Sequence, residues 1–227
     1  MKKLTALLIA VVLLATACDS GTEFELRDTP ARIGAGILKP RVSTINFDMA
    51  VEHADLIADV TVIGWLNETV NEAENMTFFA ARINTVAKDR GGANLKADDV
   101  IVVAQSGNQH NTVVDFPLFG RDERLLLFLS VHERKGYKAY SGVFEVMNMY
   151  HTPFIVHEHE GETYLLSRFD WGIARCLNDI DTLTKTHSDT AEAVRESHEA
   201  VDTFFSEVRN ARSHVFAYDE VVALITR

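Results

Sequence analysis

Most of the spacings that announce chemistry are missing from this sequence. It has no H-E-x-x-H, no cysteine-rich zinc spacing and no EF-hand loop, so the familiar metal motifs have no carrier. Ser106 and His110 share a polar stretch, but no G-x-S-x-G elbow surrounds them and no third member completes a triad. Gly34 with Gly36, and the pair Gly91-Gly92, are too sparse for a phosphate loop or a dinucleotide fingerprint. Cysteine is scarce, with only Cys18 and Cys176 in 227 residues. Positive charge is short as well: 22 Lys and Arg stand against 33 Asp and Glu, a formal net charge of −11. That balance argues against a nucleic-acid partner and against lying flat on anionic lipid. The two conspicuous apolar runs, 4–14 and 123–130, fall short of the roughly 20 residues that a membrane-spanning helix needs.

The front of the chain carries a pattern of its own. Lys2 and Lys3 form a basic region, 4–14 is apolar, Ala15-Thr16-Ala17 are small, and Cys18 follows. This order resembles the signal peptide and lipobox of bacterial lipoprotein precursors, which are cut before a cysteine whose thiol then carries diacylglycerol. Ala15 stands where that family usually has Leu, and cleavage by an ordinary signal peptidase is the alternative. The resemblance implies a signal peptide over 1–17, a lipidated Cys18 and a place on the extracytoplasmic face of the cell membrane. Two or three acyl chains anchor a protein stably where one is marginal. With Cys18 acylated, Cys176 would be the only thiol, so no intramolecular disulfide would form, and it reads as a small buried hydrophobe. Losing Lys2 and Lys3 takes the formal net charge from −11 to −13.

The whole chain is 47% hydrophobic and 24% charged, the composition of a globular protein. The length suits one compact domain with an appendage. A domain of this size buries roughly 70% of its unfolded surface, so it needs neither disulfide nor metal. Residues 18–42 have no period and read as a lipidated N-terminus and flexible tether. Phe47, Ala50, Val51 and Ala54 fall at helical spacing behind Asn46, a plausible N-cap, and predict a short helix with His53 on its rim.

Strand patterns follow. Over 55–65, Leu56, Ala58, Val60 and Val62 point one way while Asp59 and Thr61 point the other. Residues 77–88 alternate similarly around Phe79, Ala81 and Ile83, and 99–105 is continuously apolar from Val100 to Ala104. Residues 123–130, ERLLLFLS, predict a strand buried on both faces that the other strands need as a partner. A strand over 137–146 and a hairpin over 153–159 and 162–166, turning at Glu160-Gly161, complete the set. Residues 189–209 carry an apolar stripe of Ala191, Val194, Val201, Phe204, Phe205 and Val208, with acids at the start and arginines at the end, and predict a helix. Residues 218–225 suit a short terminal helix or a last strand. The fold class expected is mainly β: an OB-like barrel of five to seven strands over 43–170, with a short N-terminal helix. A C-terminal helical region over 171–227 is expected to pack on the barrel.

The helix running into Ala54-Asp55-Leu56-Ile57-Ala58-Asp59-Val60, the strand around Ala80, and the glycine-marked turn Gly120-Arg121-Asp122 before the ERLLLFLS strand occur in a telling order. Together, residues 54–130 resemble the netrin-like, tissue-inhibitor-of-metalloproteinase class of OB-fold barrels, a kind also found in exported lipoproteins of Gram-positive bacteria. The resemblance implies a five-stranded barrel with a helix packed on it. It does not carry the inhibitory activity, which in that family uses a free N-terminal cysteine pinned by a disulfide. Here Cys18 would be acylated and has no disulfide partner.

Two groups of residues remain as candidate sites. Gln105, Asn108, His110, Arg121 and Arg124 lie on or beside the irregular loop 105–119, a place where binding residues are often carried. His157 and His159 share a strand face at i, i+2 spacing and, with His151, are the residues a divalent metal would use, with Glu160 or Glu162 as an oxygen donor. At a hairpin tip, however, His and Glu are ordinary solvated residues. No catalytic residue and no cofactor is assigned. The expectation is a membrane-anchored, non-enzymatic lipoprotein that binds a peptide, protein or small ligand. The alternatives are a metal-dependent enzyme or metal-binding protein using the histidine cluster, and a structural envelope component.

Overall fold

A computed structural model describes residues 36–38, 47–66, 76–107, 111–113, 118–132, 143–147, 153–167, 193 and 214–227. In chain order the elements are β1 (Gly36–Leu38), α1 (Phe47–His53), β2 (Leu56–Trp65), β3 (Met76–Asp89), β4 (Val100–Ser106) and β5 (Asn111–Val113). They continue with β6 (Arg124–Val131), β7 (Val143–Val146), β8 (Phe154–His159), β9 (Glu162–Ser167), β10 (His214–Ala217) and α2 (Tyr218–Ile225).

Strand β6 is the ERLLLFLS stretch, and the sheet divides at it. One edge pairs antiparallel with β2 from Thr61↔Arg124 to Leu56↔Leu129. The other edge is shared: Leu125 and Leu126 pair with β8, while Leu129, Ser130 and Val131 pair with β7. The β7 pairing closes a barrel of β2, β3, β4, β7 and β6, in which every neighbour is antiparallel except β4 and β7. Numbering these five strands along the chain, the order around the barrel is first, second, third, fifth, fourth and back to first. The fold class is thus the mainly-β, OB-like one expected, with five strands in the closed barrel and a helix near each end of the described chain. Strands β8, β9 and β10 run off β6 as a side sheet.

Alternation sorts the apolar residues of each barrel strand into two populations. Leu125, Leu127 and Leu129 fill the barrel with Val60, Phe79, Val103 and Phe144. Leu126 and Phe128 point outward into a second layer with Ile57, Phe154 and Leu165, which α1 covers with Phe47 and Ala50 and α2 covers with Val221 and Ile225. All five residues from Leu125 to Leu129 are fully buried, which is why the run could be unbroken. Inside the barrel, Phe79 packs between Trp65 and Phe119 with ring centroids 5.7 and 5.6 Å away. Three irregularities in the β2–β3 pairing, at Ile57/Ala58, Asp59/Val60 and Val62/Gly64, bend the two longest strands into the curve of the barrel.

Helix α1 ends against β3. Lys88 donates to the Val51 and Glu52 carbonyls, and Arg90 Nη1 donates to the Glu52 carbonyl at 2.8 Å, supplying cations where the last carbonyls lack partners. His53 is exposed on the same last turn. Asn46, its expected cap, lies outside the described residues, as do most of residues 189–209, of which only Ala193 is described. Residues 218–225, open between helix and strand in sequence, are helical, following β10 directly. Within the expected tether, β1 pairs in parallel with β5, residue for residue from Gly36↔Asn111 to Leu38↔Val113.

The β8–β9 hairpin turns through Glu160 at φ 51° and Gly161 at φ 86°, with His159 and Glu162 paired across it. Two consecutive positive φ values are the signature of a two-residue type I′ turn, which favours Asn-Gly because a side chain such as Glu is strained there. Glu160→Asn is therefore expected to raise stability by about 0.5–1 kcal/mol. Urea denaturation measures it as a higher midpoint at unchanged slope.

Candidate functional site

Asp59 and Thr61 occupy the polar side of the β2 alternation, and a polar side normally faces water. Here that side looks into the layer beneath α1 and α2, and Asp59 is 0% exposed. Leaving an ionised carboxylate there without partners would cost several kcal/mol. Its partners come from three elements. Arg124 opens β6 and pairs across from Thr61, which places it diagonally beside Asp59 on the same face. Its Nε lies 3.1 Å from both carboxylate oxygens and its Nη2 2.8 Å from Oδ2, a two-pronged, charge-assisted contact. Asn84, the extra β3 residue at the Asp59/Val60 irregularity, donates its amide to Oδ1 at 2.9 Å. Tyr218, the first residue of α2, donates its hydroxyl to Oδ2 at 3.0 Å.

The cluster extends outward from this carboxylate. Asn84 also donates to Thr61 Oγ1 at 3.0 Å, so both neighbours on β2 are tied to β3. Arg124 Nη1 donates to Glu158 Oε1 on β8 at 2.8 Å, and the guanidinium carbon sits 5.9 Å from the centre of the Tyr218 ring. Glu158 is largely exposed at 70%, whereas the Arg124 side chain is 32% exposed. One buried acid thus ties β2 to β3, β6 and α2, and Arg124 carries the cluster on to β8.

The electrostatics follow from the geometry. The hydrogen bond to Asp59 holds the Arg124 guanidinium protonated above its already high ordinary value. Burial, followed by the charge of Asp59 and the hydrogen bond to it, pushes the Tyr218 phenol above the usual tyrosine range. The phenol is therefore a neutral donor to the Asp59 carboxylate. The Arg124 donors are divided between Asp59 and Glu158. The arrangement suits a clasp between elements better than acid–base chemistry.

The expected site residues are dispersed. Arg124 belongs to the clasp. Gln105 is fully buried near the end of β4, where its side-chain oxygen accepts the Phe119 N–H at 3.2 Å and fixes the approach to β6. Arg121 is exposed on the turn before β6, beside Asp122 at φ 66°. His157 and His159 are half-buried on one face of β8, opposite Tyr164 and Glu162 across the hairpin, and Glu158 points to the other face. Among the described residues, no group of three or more His, Cys, Asp or Glu is gathered closely enough to hold a metal. Cys18, Asn108, His110 and His151 lie outside the described residues.

Sequence reading missed the importance of Asp59, Asn84 and Tyr218. The available signal was Asp59 itself, a lone acid between Ala58 and Val60 in a strand whose polar side also carries Ile57. No family model matches this chain, and no curated protein and no solved structure is significantly similar to it.

Removing one member of a buried pair strands the other. Arg124→Met is expected to destabilise the fold by about 3 kcal/mol, and the double variant Asp59→Leu/Arg124→Met by clearly less, as read by denaturant melts of all members of a mutant cycle. The Tyr218 phenol, raised in the folded state, contributes stability that is fully present below the unfolded tyrosine pKa of about 10. That contribution is lost as pH rises further toward the folded value. Ultraviolet titration should show one tyrosine ionising after all the others, and Tyr218→Phe should remove that last step.

Proposed function

We propose that this chain is a lipid-anchored extracytoplasmic lipoprotein whose barrel serves as a non-enzymatic binding or interaction module. The observation that carries this reading is the order Lys2-Lys3, apolar 4–14, Ala15-Thr16-Ala17 and Cys18. Acylation of Cys18 tethers the domain to the cell membrane on its outer side. The body then stands in an oxidising compartment with Cys176 as its one thiol. Among the described residues no helix is long and apolar enough to cross a membrane.

Two features of the barrel support a binding role. The clasp commits its charges to one another and ties the strands of the scaffold to α2. The exposed Arg121 lies on the turn into β6, at the rim of that scaffold, and loops on a rigid frame are where recognition residues are commonly placed. The partner is a peptide, a protein or a small ligand met by this rim. The closed five-strand barrel and its covering helix are also compatible with the netrin-like class.

Cys18→Ser is the decisive variant. Expressed in bacteria fed a labelled fatty acid, the parent protein is expected to take up label and sediment with membranes. The variant should lose the label and appear in the soluble fraction. A variant that stays labelled and membrane-bound refutes the anchor.

A further inference from the structure

Strands β1 and β5 stand apart from the barrel and its side sheet. They form a two-stranded sheet of their own, and among the described residues neither pairs with a barrel strand. The pairing is parallel and three residues long, Gly36↔Asn111, Ile37↔Thr112 and Leu38↔Val113. Parallel strands ordinarily occur in larger sheets covered on both faces, and an isolated pair of strands is marginal in water. A ladder this short has few hydrogen bonds to lose, so it belongs with the elements that open locally at little cost. The two strands also differ in how the chain carries them. β5 lies between β4 and β6, both of them walls of the closed barrel, whereas β1 precedes the barrel.

We propose that the edge of β5 which holds β1 is a peptide-binding edge, and that Gly36–Leu38 occupies it as a displaceable stand-in. The partner is an extended peptide with an apolar centre and basic flanks, which adds to β5 in the parallel sense and takes the place of β1. The pairing itself shows that this backbone edge accepts an extended segment, the mode of recognition known as strand addition. Thr112 and Val113 are β-branched and favour the extended conformation that such an edge needs. The stand-in defines the chemistry of what replaces it. Residues 31–41, ARIGAGILKPR, centre on Gly-Ile-Leu and carry Arg32, Lys39 and Arg41 with no acid, in a chain whose formal net charge is −11. A peptide of that make-up is steered toward an acidic protein. Because β1 is part of the same chain, it competes at an effective concentration of about millimolar and keeps the edge shut against weak peptides. The inference deepens the binding role proposed above and rests on it, but not on acylation of Cys18.

Fluorescence anisotropy with a labelled peptide of sequence ARIGAGILKPR tests this on the full chain in detergent. Ile37→Pro/Leu38→Pro removes two neighbouring amide donors from β1, so its ladder is broken whichever of them faces β5. That variant is expected to bind the probe about tenfold more tightly than the parent, because the tethered competitor is gone. A probe N-methylated at the residues matching Ile37 and Leu38 should not bind, and adding Thr112→Pro/Val113→Pro should abolish binding of the plain probe. Equal affinity for parent and variant, no binding to the opened variant, or binding that survives the β5 substitutions overturns the proposal. A second measurement needs no substitution. Excess probe should speed amide hydrogen exchange at Gly36–Leu38 in the parent chain, and unchanged exchange there overturns it too. Failure of either arm leaves the acyl labelling of Cys18 as it was, so loss of this site and loss of the anchor are told apart.

Discussion

Strand β6 has two apolar faces and two hydrogen-bonding edges, and a barrel wall ordinarily covers only one of those faces. The alternate residues Leu126 and Phe128 would face water if the barrel stood alone. Burying each such side chain is worth roughly 2–3 kcal/mol, so the fold is driven to build a second layer outside the barrel. The free edge of β6 provides the means. Its first half recruits β8, which brings β9, β10 and α2 over the outward leucine and phenylalanine, while its second half keeps β7 and closes the barrel. Helix α1 covers the same layer from the other side of the sequence.

That second layer creates the electrostatic problem that the clasp solves. Covering β2 from outside puts Asp59 out of reach of water, and the carboxylate then needs several strong donors. They come from the strands at its sides and from Tyr218 above it. Geometry supports specificity as well as cohesion, because α2 has few buried anchors and a shift along the layer would withdraw the phenol from Asp59. A buried charge network of this kind adds less net stability than apolar residues of equal volume, and its plausible advantage is a single docking position for α2.

Much of the barrel was legible because alternation is a local property. Val60, Phe79 and Leu127 each announce an inward face, and the Glu160-Gly161 turn announces a hairpin. The candidate site was not legible in the same way. Asp59 is remote in sequence from Arg124 and Tyr218, and no periodicity links them. The same pattern that marks a solvated face marks this one, because hydrophobic alternation says nothing of what lies across the sheet. Gln105 shows the converse: a polar residue next to an irregular loop read as a surface contact, yet it is buried under Phe119.

The sequence by itself determined the barrel strands β2, β3, β4 and β6 and the β8–β9 hairpin, which sides of them are apolar, that β6 must be buried on both sides, and the lipobox-like start that ends at Cys18, but not the strands β1, β5 and β10. Those properties follow from side-chain identity and the two-residue period of an extended chain. Only the tertiary structure decided that β6 divides between β7 and β8, that residues 218–225 cap the outer layer as a helix, and that Asp59 is a buried anchor. These depend on which distant surfaces meet. The energy of a buried carboxylate is set by the donors around it, and those donors come from strands and a helix far apart in the chain.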